Sequence, residues 1–199
     1  MKKPLIIVFA KAPELGKVKT RLGEKIGPRN ALIIYQHLLQ KTAHVLAEIE
    51  DTIYVYGTEK EQPIEAFNKV ATDQFVQQGN DLGERMARAF DENFAQFSPI
   101  LIIGADLWTL EKEDISNALQ ALKTHDIVIG PSEDGGYYLL GLNHPHPSIF
   151  INKQWGTSTV FNDTRLEIQD EKLYLLQLKN DIDTYADLIQ YPELLQCIE

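Results

Sequence analysis

The chain has 199 residues, 44% hydrophobic and 24% charged, which suits a single folded domain with a substantial buried core. Its formal charge of −10 sets most of the surface against nucleic-acid phosphates and excludes nucleic acid as the expected partner. The single cysteine, Cys197, excludes an intramolecular disulfide or multi-cysteine metal site, and no apolar run approaches the ~20 residues of a membrane span, so a cytoplasmic location is expected.

Leu5 to Phe9 is a continuous apolar run with β-branched members, the pattern of a strand buried on both faces. It runs straight into Lys11-Ala12-Pro13-Glu14-Leu15-Gly16-Lys17-Val18-Lys19-Thr20-Arg21. Four cations and one acid stand in these eleven residues of a strongly acidic chain. Glycine lets a backbone approach an anion, turn amides point at it, and lysine or arginine neutralises it. Either this is a solvated lysine-rich turn or it is a phosphate-binding loop; its place after a buried strand favours the second. Arg21 suits bidentate phosphate contact, with Lys11, Lys17 and Lys19 acting as point charges. The segment lacks both the P-loop ending and a dinucleotide-type glycine spacing.

Gly27-Pro28 is read as opening a long helix, with Ala31, Ile34, Tyr35, Leu38, Val45, Leu46 and Ile49 on one face. Thr52 to Tyr56 is a strand closed by Gly57, Ile64 to Val70 a short helix, and Gln74 to Gln77 a short strand. Asn80 to Gly83 leads into a helix carrying Met86, Ala89, Phe90 and Phe97. Ile100 to Ile103 is a buried strand ending at Gly104-Ala105-Asp106. A carboxylate there either holds Mg²⁺ or Mn²⁺ or caps the next helix, which carries Ile115, Leu119 and Leu122. Ile127 to Ile129 and Gly136 to Leu142 are strands flanking Gly130-Pro131-Ser132-Glu133-Asp134-Gly135-Gly136. There Asp134 is either a sugar-binding carboxylate or part of an Asp-Gly hairpin turn.

Ser158 to Ile168 reads as helical, Leu173 to Leu178 as a strand, and a C-terminal helix starts near Thr184. Asp183 is either a second metal carboxylate or a neighbour of the capping box Thr184-x-x-Asp187. His144 and His146, in His-Pro-His-Pro, have no flanking acid and read as an exposed loop. His37, His44 and His125 read as structural or solvated, and Trp108 and Trp155 as packing beside the candidate loops. Strands alternating with helices indicate an α/β architecture, a mostly parallel central sheet with helices on both faces. Ligands bind such sheets outside the carboxyl ends of the strands, where the cationic loop and Asp106 both fall.

Together these pieces resemble a bacterial family. The motifs are Lys11-x-Pro13-x-x-Gly16-x-Val18-Lys19-Thr20-Arg21-Leu22, Gly79-x-x-Leu82-Gly83-Glu84-Arg85-Met86 and Ile103-Gly104-Ala105-Asp106. Gly130-Pro131-x-x-Asp134-Gly135-Gly136-Tyr137-Tyr138, Trp155-Gly156-Thr157-Ser158 and Asp181-x-Asp183-Thr184-x-x-Asp187-Leu188 follow in the same order. The resemblance is to DUF2064, a family of GT-A-type transferases associated with arsenosugar biosynthesis. It implies a nucleotide-diphospho-sugar transferase fold, with the Lys11–Arg21 loop and Arg85 holding nucleotide phosphates. It further implies Asp106 and Asp183 as ligands of Mg²⁺ or Mn²⁺, and Asp134, Gly135 and Gly136 shaping the sugar or acceptor pocket. Leu107-Trp108 replaces the family's small residue and proline, so Trp108 is expected to reshape the acceptor side. The later Trp-Ser-Thr form is altered to Trp155-Gly156-Thr157.

The preferred expectation is a metal-dependent glycosyltransferase using a nucleotide-activated sugar, with Asp106, Asp134 and Arg21 in the chemistry. In it the metal and cations stabilise the departing nucleoside diphosphate, and Asp134 is the candidate base. The alternative is a nucleotidyltransferase moving NMP from an NTP to a phosphorylated acceptor with release of pyrophosphate. A nucleotide-binding protein without turnover is the third. Base, sugar, acceptor and oligomeric state stay open.

Overall fold

The computed structural model describes residues 2–58 and 63–198. Its centre is a seven-stranded sheet in the order β3-β2-β1-β4-β6-β5-β7. The strands are β1 (Lys3–Phe9), β2 (Thr52–Gly57), β3 (Asp73–Val76), β4 (Phe97–Gly104), β5 (Ile127–Pro131), β6 (Tyr137–Leu142) and β7 (Leu173–Leu175). All neighbours run parallel except β6, which is antiparallel to both β4 and β5. A two-strand hairpin is the shortest way to insert an antiparallel strand, and the Ser132–Gly136 turn between β5 and β6 supplies it.

Strand alternation sorts the side chains into two layers. Ile6 and Val8 of β1, Val55 of β2 and Leu101 and Ile103 of β4 face one cluster. It is covered by Tyr35, Leu39 and Leu46 of α2 (Pro28–Leu46) and by Ile115 and Ala118 of α4 (Lys112–Ala121). Leu5, Ile7, Ile100 and Ile102 face the other cluster, against Met86, Ala89 and Phe90 of α3 (Leu82–Phe94). Both faces are buried, so the central strands read as unbroken apolar runs.

The cationic loop ends in a helix of its own, α1 (Thr20–Ile26), which the sequence reading folds into the loop. Gly27, at φ +85°, closes α1 and starts α2, with Pro28 in the first turn. A third cluster joins Leu22 of α1 and Ile34 and Leu38 of α2 to Ile182, Leu188 and Leu194 near the C-terminus. The expected C-terminal helix is two four-residue helices, α6 (Tyr185–Leu188) and α7 (Pro192–Leu195), interrupted where Pro192 cannot continue the first. The remaining helix, α5 (Val160–Glu167), lies within the expected Ser158–Ile168 segment. Glu65–Phe67 is a 3₁₀ turn within the expected short helix, and β7 covers only the first half of the expected Leu173–Leu178 strand.

Connections leave β1 toward β2 and β3 on one side, and the chain then returns to place β4 on the other. The carboxyl ends of β1 and β4 therefore flank a topological switch point, where an open α/β sheet leaves a crevice.

Candidate active site

A cleft of about 590 Å³ opens at that point. Its walls include Lys11 after β1, Asp106 after β4, Asp134 and Gly136 in the β5–β6 turn, Arg85 of α3 and Trp155.

Lys19 forms the centre of a charged cluster that meets the cleft through Asp106; Lys19, Arg21 and Asp183 themselves lie behind the cleft wall and do not line it. It sits at φ +46°, a left-handed position at the end of the cationic loop, and its side chain is 3% exposed. Its Nζ lies 3.1 Å from Asp106 Oδ2 and donates to Asp183 Oδ1 at 2.7 Å. Arg21 pairs with the other oxygen of Asp183. Burial alone would push the Lys19 ammonium down, but Asp106 and Asp183 outweigh it and hold it above the ordinary lysine range. Burial pushes Asp183 up, yet Lys19 and Arg21 together bring it below the usual carboxylate range.

Long-range hydrogen bonds assemble these residues. Ile182 N–H donates to the Asp106 carbonyl at 3.4 Å, so the backbone beside Asp183 is tied to the strand end that carries Asp106. Upstream, Lys179 bridges Ser132 as an extension of the sheet, and its ammonium donates to the Thr109 carbonyl at 2.7 Å and pairs with Asp114. Downstream, Asp187 accepts from Asp183 N–H at 3.2 Å, Thr184 N–H at 2.7 Å and Asn180 Nδ2 at 2.9 Å. The capping box is therefore present, and the same cap fixes the loop bearing Asp183. The sequence-level alternatives for this segment turn out to be compatible.

The other expected residues divide. Lys11 lines the cleft, its backbone held by the Tyr35 hydroxyl, which accepts from Lys11 N–H at 2.8 Å. Arg85 lines it too, with Nε donating to the Gly79 carbonyl at 3.0 Å. Lys17 is exposed and pairs with Glu14 at 2.6 Å, while Gly16 turns the loop at φ +77° in open space. Neither borders the cleft. Asp134 Oδ1 accepts from Gly136 N–H at 2.9 Å, so it is part of the tight turn as well as a cleft residue. Gly135, at φ +88°, packs so closely that a Cβ there would stand 2.2 Å from the Ser158 carbonyl oxygen.

Two residues differ from expectation. Trp108 does not line the cleft: it packs on the third cluster, and its Nε1 donates to Glu193 Oε1 at 2.8 Å. The C-terminal helices draw it away, leaving Leu107 as the cleft residue. Asp181 was overlooked. It lines the cleft, accepts from Ser132 Oγ at 2.9 Å, and is raised by burial and by Asp183. The signal was its place two residues before Asp183, which puts both on one side of an extended segment.

The donor set is compatible with a divalent cation. Asp106 and Asp183 share the Lys19 ammonium between them and are both partly exposed beside it, so a hard ion would bind on their solvent side and not at the point the ammonium fills. Among the described residues, Asp106 and Asp183 are the two carboxylates paired to Lys19, and a pair of carboxylates suits an ion completing its shell with water and phosphate oxygens, as Mg²⁺ does.

The DUF2064 family model, described as an uncharacterized protein conserved in bacteria, matches residues 38–157. The chain belongs to this family. A DUF2064 chain of this kind is similar to a protein from Desulfovibrio desulfuricans G20 provisionally described as a nucleotide-diphospho-sugar transferase. The two are 30% identical with a TM-score of 0.86 over 98% of each chain. The 4-diphosphocytidyl-2C-methyl-D-erythritol synthase of Anaerococcus prevotii shares the fold at 12% identity, with a TM-score of 0.65 over 98% of this chain and 96% of that one.

Among curated proteins, the 2-phospho-L-lactate guanylyltransferases of Methanocaldococcus jannaschii and Methanothermobacter thermautotrophicus are 25% and 26% identical. Those matches take in 64% and 59% of this chain, which spans about half the length of each relative, 55% and 53%. The fold is thus the α/β nucleotide-diphospho-sugar transferase type, with a mixed, mostly parallel sheet. No helix among the described residues is long and apolar enough to cross a membrane.

Proposed function

We propose that the cleft binds a nucleoside triphosphate and transfers its nucleoside monophosphate to a phosphorylated acceptor, releasing pyrophosphate. The observation that carries this reading is the buried Lys19 ammonium, paired to Asp106 at the carboxyl end of β4 and to Asp183 in the loop before α6. The acceptor phosphate oxygen attacks the α-phosphorus, and the bridging bond from the α-phosphorus to the pyrophosphate oxygen breaks. Lys19 and Arg21 stand where negative charge develops, and Lys11 and Arg85 meet the outer phosphates. Lys17 and Gly16 shape the outer loop, while Asp134, Gly135 and Gly136 form the acceptor side.

A charge balance supports a divalent cation. Lys19 and Arg21 are already neutralised by Asp106 and Asp183, so a triphosphate enters a cluster with no net positive charge. Mg²⁺ or Mn²⁺ held by Asp106 and Asp183 would supply Lewis-acid stabilisation of the phosphate oxygens.

Asp134 favours this reading over glycosyl transfer. A hydroxyl acceptor needs a base to take its proton if glycosyl transfer inverts the sugar carbon. Asp134 is exposed, and one of its oxygens is occupied by Gly136 N–H. A phosphate acceptor is already anionic at neutral pH and needs no such base. The guanylyltransferase relatives support the same reading. The Desulfovibrio match supports a second reading, transfer from a nucleotide-sugar. Incubation with each NTP, Mg²⁺ and small phosphorylated acids tests the two: pyrophosphate release dependent on acceptor supports the first. Nucleoside diphosphate release from UDP- or GDP-sugars without pyrophosphate supports the second, and binding without turnover of either overturns both.

A further inference from the structure

At the opposite end of the sheet from the cleft, the loop after β6 carries His144-Pro145-His146-Pro147, and Glu171 precedes β7. Ile127, at the start of β5, pairs with Leu142 at the end of β6 and with Leu173 at the start of β7, which brings the two segments together. The candidate active site lies beyond Pro131, at the other end of β5, roughly 13 Å away by strand rise.

We propose that His144, His146 and Glu171 form a second metal site, selective for a borderline ion such as Zn²⁺ and distinct from the carboxylate pair Asp106 and Asp183. One ligand atom from each residue lies within 4.8 Å of the other two. The imidazole rings are 4.4 Å apart between centroids, and His146 Nε2 stands 3.7 Å from Glu171 Oε1.

A second, independent observation is that His146 Nε2 is buried and, among the described residues, has no hydrogen-bond partner. A buried nitrogen left unpaired is costly, and a metal is the partner that two imidazoles and a carboxylate share most readily.

Around a tetrahedral ion with bonds of ~2.1 Å, ligand atoms stand roughly 3.4 Å apart. The closure needed from 4.8 Å is at most about 1.4 Å, within reach of side-chain rotation in the exposed His144 and half-buried Glu171. The frame around them is fixed. Pro145 and Pro147 restrict the backbone on either side of His146. Asn143 Nδ2 donates to the Leu122 and His125 carbonyls at 2.7 Å and 2.8 Å, and Ser98 Oγ donates to the Asn143 carbonyl at 2.9 Å. Lys172 N–H donates to Asp126 Oδ2 at 3.1 Å, anchoring the residue after Glu171. The ion would therefore clamp the ends of β6 and β7. Two nitrogen ligands favour Zn²⁺, Co²⁺ or Ni²⁺ over Mg²⁺, whereas the all-oxygen pair Asp106 and Asp183 has the reverse preference.

The test is calorimetric titration of Zn²⁺ into tag-free, chelator-treated protein, with Co²⁺ absorption reporting nitrogen ligation. Expected are one Zn²⁺ per chain that Mg²⁺ in large excess does not displace, a higher Tm with Zn²⁺, and a tetrahedral Co²⁺ spectrum. Glu171→Gln and His144→Ala should each weaken binding at least tenfold while melting, without Zn²⁺, close to the parent. Asp106→Ala should leave it unchanged. No Zn²⁺ binding, parent-like binding by both variants, or loss of binding in Asp106→Ala would overturn the proposal. These readouts do not depend on any transferase activity.

Discussion

Replacing Lys19 by Met keeps most of the unbranched stem and removes the terminal ammonium, with its charge and its hydrogen bond to Asp183. At 2.7 Å and 3.1 Å from two carboxylates, each attraction is roughly 5–6 kcal/mol at an effective dielectric of ~20. Desolvation of an ammonium that is only 3% exposed cancels several kcal/mol of this. The carboxylates of Asp106 and Asp183, 44% and 29% exposed, regain water once the lysine is gone. The left-handed backbone strain is common to both side chains and drops out. A net loss of about 2 kcal/mol at neutral pH is expected, below the range for fully buried pairs. The pH dependence identifies its source. Asp183 is held below its ordinary 3.8, so its contribution is present above that value and is lost as pH falls through the lower folded one. Lys19 is held above 10.5, so its contribution is present below that value and is lost only as pH rises beyond it. Urea unfolding of parent and Lys19→Met should thus differ by a constant amount from about pH 6 to 10, and the gap should narrow below about pH 4. A gap under ~0.5 kcal/mol at pH 7, or one that stays flat into acid, refutes the reasoning.

Other outcomes follow from the same geometry. Gly135→Ala combines a positive φ with a 2.2 Å approach to the Ser158 carbonyl and should cost about 3 kcal/mol or more by thermal or urea unfolding, whereas Gly16→Ala, strained but in open space, should cost only about 1 kcal/mol. Thr184→Ala removes the cap that fixes the Asp183 loop: about 1 kcal/mol of stability should be lost, with a larger proportional loss of Mg²⁺-dependent nucleotide affinity measured by calorimetry. Asp106→Ala should abolish the enhancement of nucleotide binding by Mn²⁺ and lower turnover by roughly 10²–10³-fold in a pyrophosphate-release assay. Trp108→Phe, which breaks the bond to Glu193 outside the cleft, should lower Tm and leave the KM for nucleotide unchanged.

The central strands were legible because β1, β4 and β5 are buried on both faces and leave unbroken apolar runs, entered from Pro4, Pro99 and Asp126. The antiparallel direction of β6 was not, since the Asp134-Gly135-Gly136 turn reads equally as a hairpin or as a ligand loop. Helix α1 escaped notice because it is seven residues long and buries only Leu22, too few positions to show a helical period. Lys11, Lys19, Arg21 and Asp106 stand out by residue type and by their place beyond strand ends, and Asp183 as a carboxylate beside the Thr184 helix cap. That Lys19 ion-pairs with both carboxylates was not legible, because it depends on the Ile182–Asp106 hydrogen bond across the fold. The same limit applied to Trp108, whose partner Glu193 lies far along the chain. It applied also to His144 and His146, whose acid Glu171 is brought close only by the pairing of β5 with β6 and β7.

The most direct test follows the α-phosphorus. An NTP labelled at that position is incubated with the protein, Mg²⁺ and a phosphorylated acceptor, and the products are separated. Label in a new nucleotide product joined to the acceptor phosphate through a phosphoanhydride, with pyrophosphate in equal amount and neither formed by Lys19→Met, is the predicted result. Label that remains in intact NTP while the same protein moves sugar from a nucleotide-sugar would contradict the account.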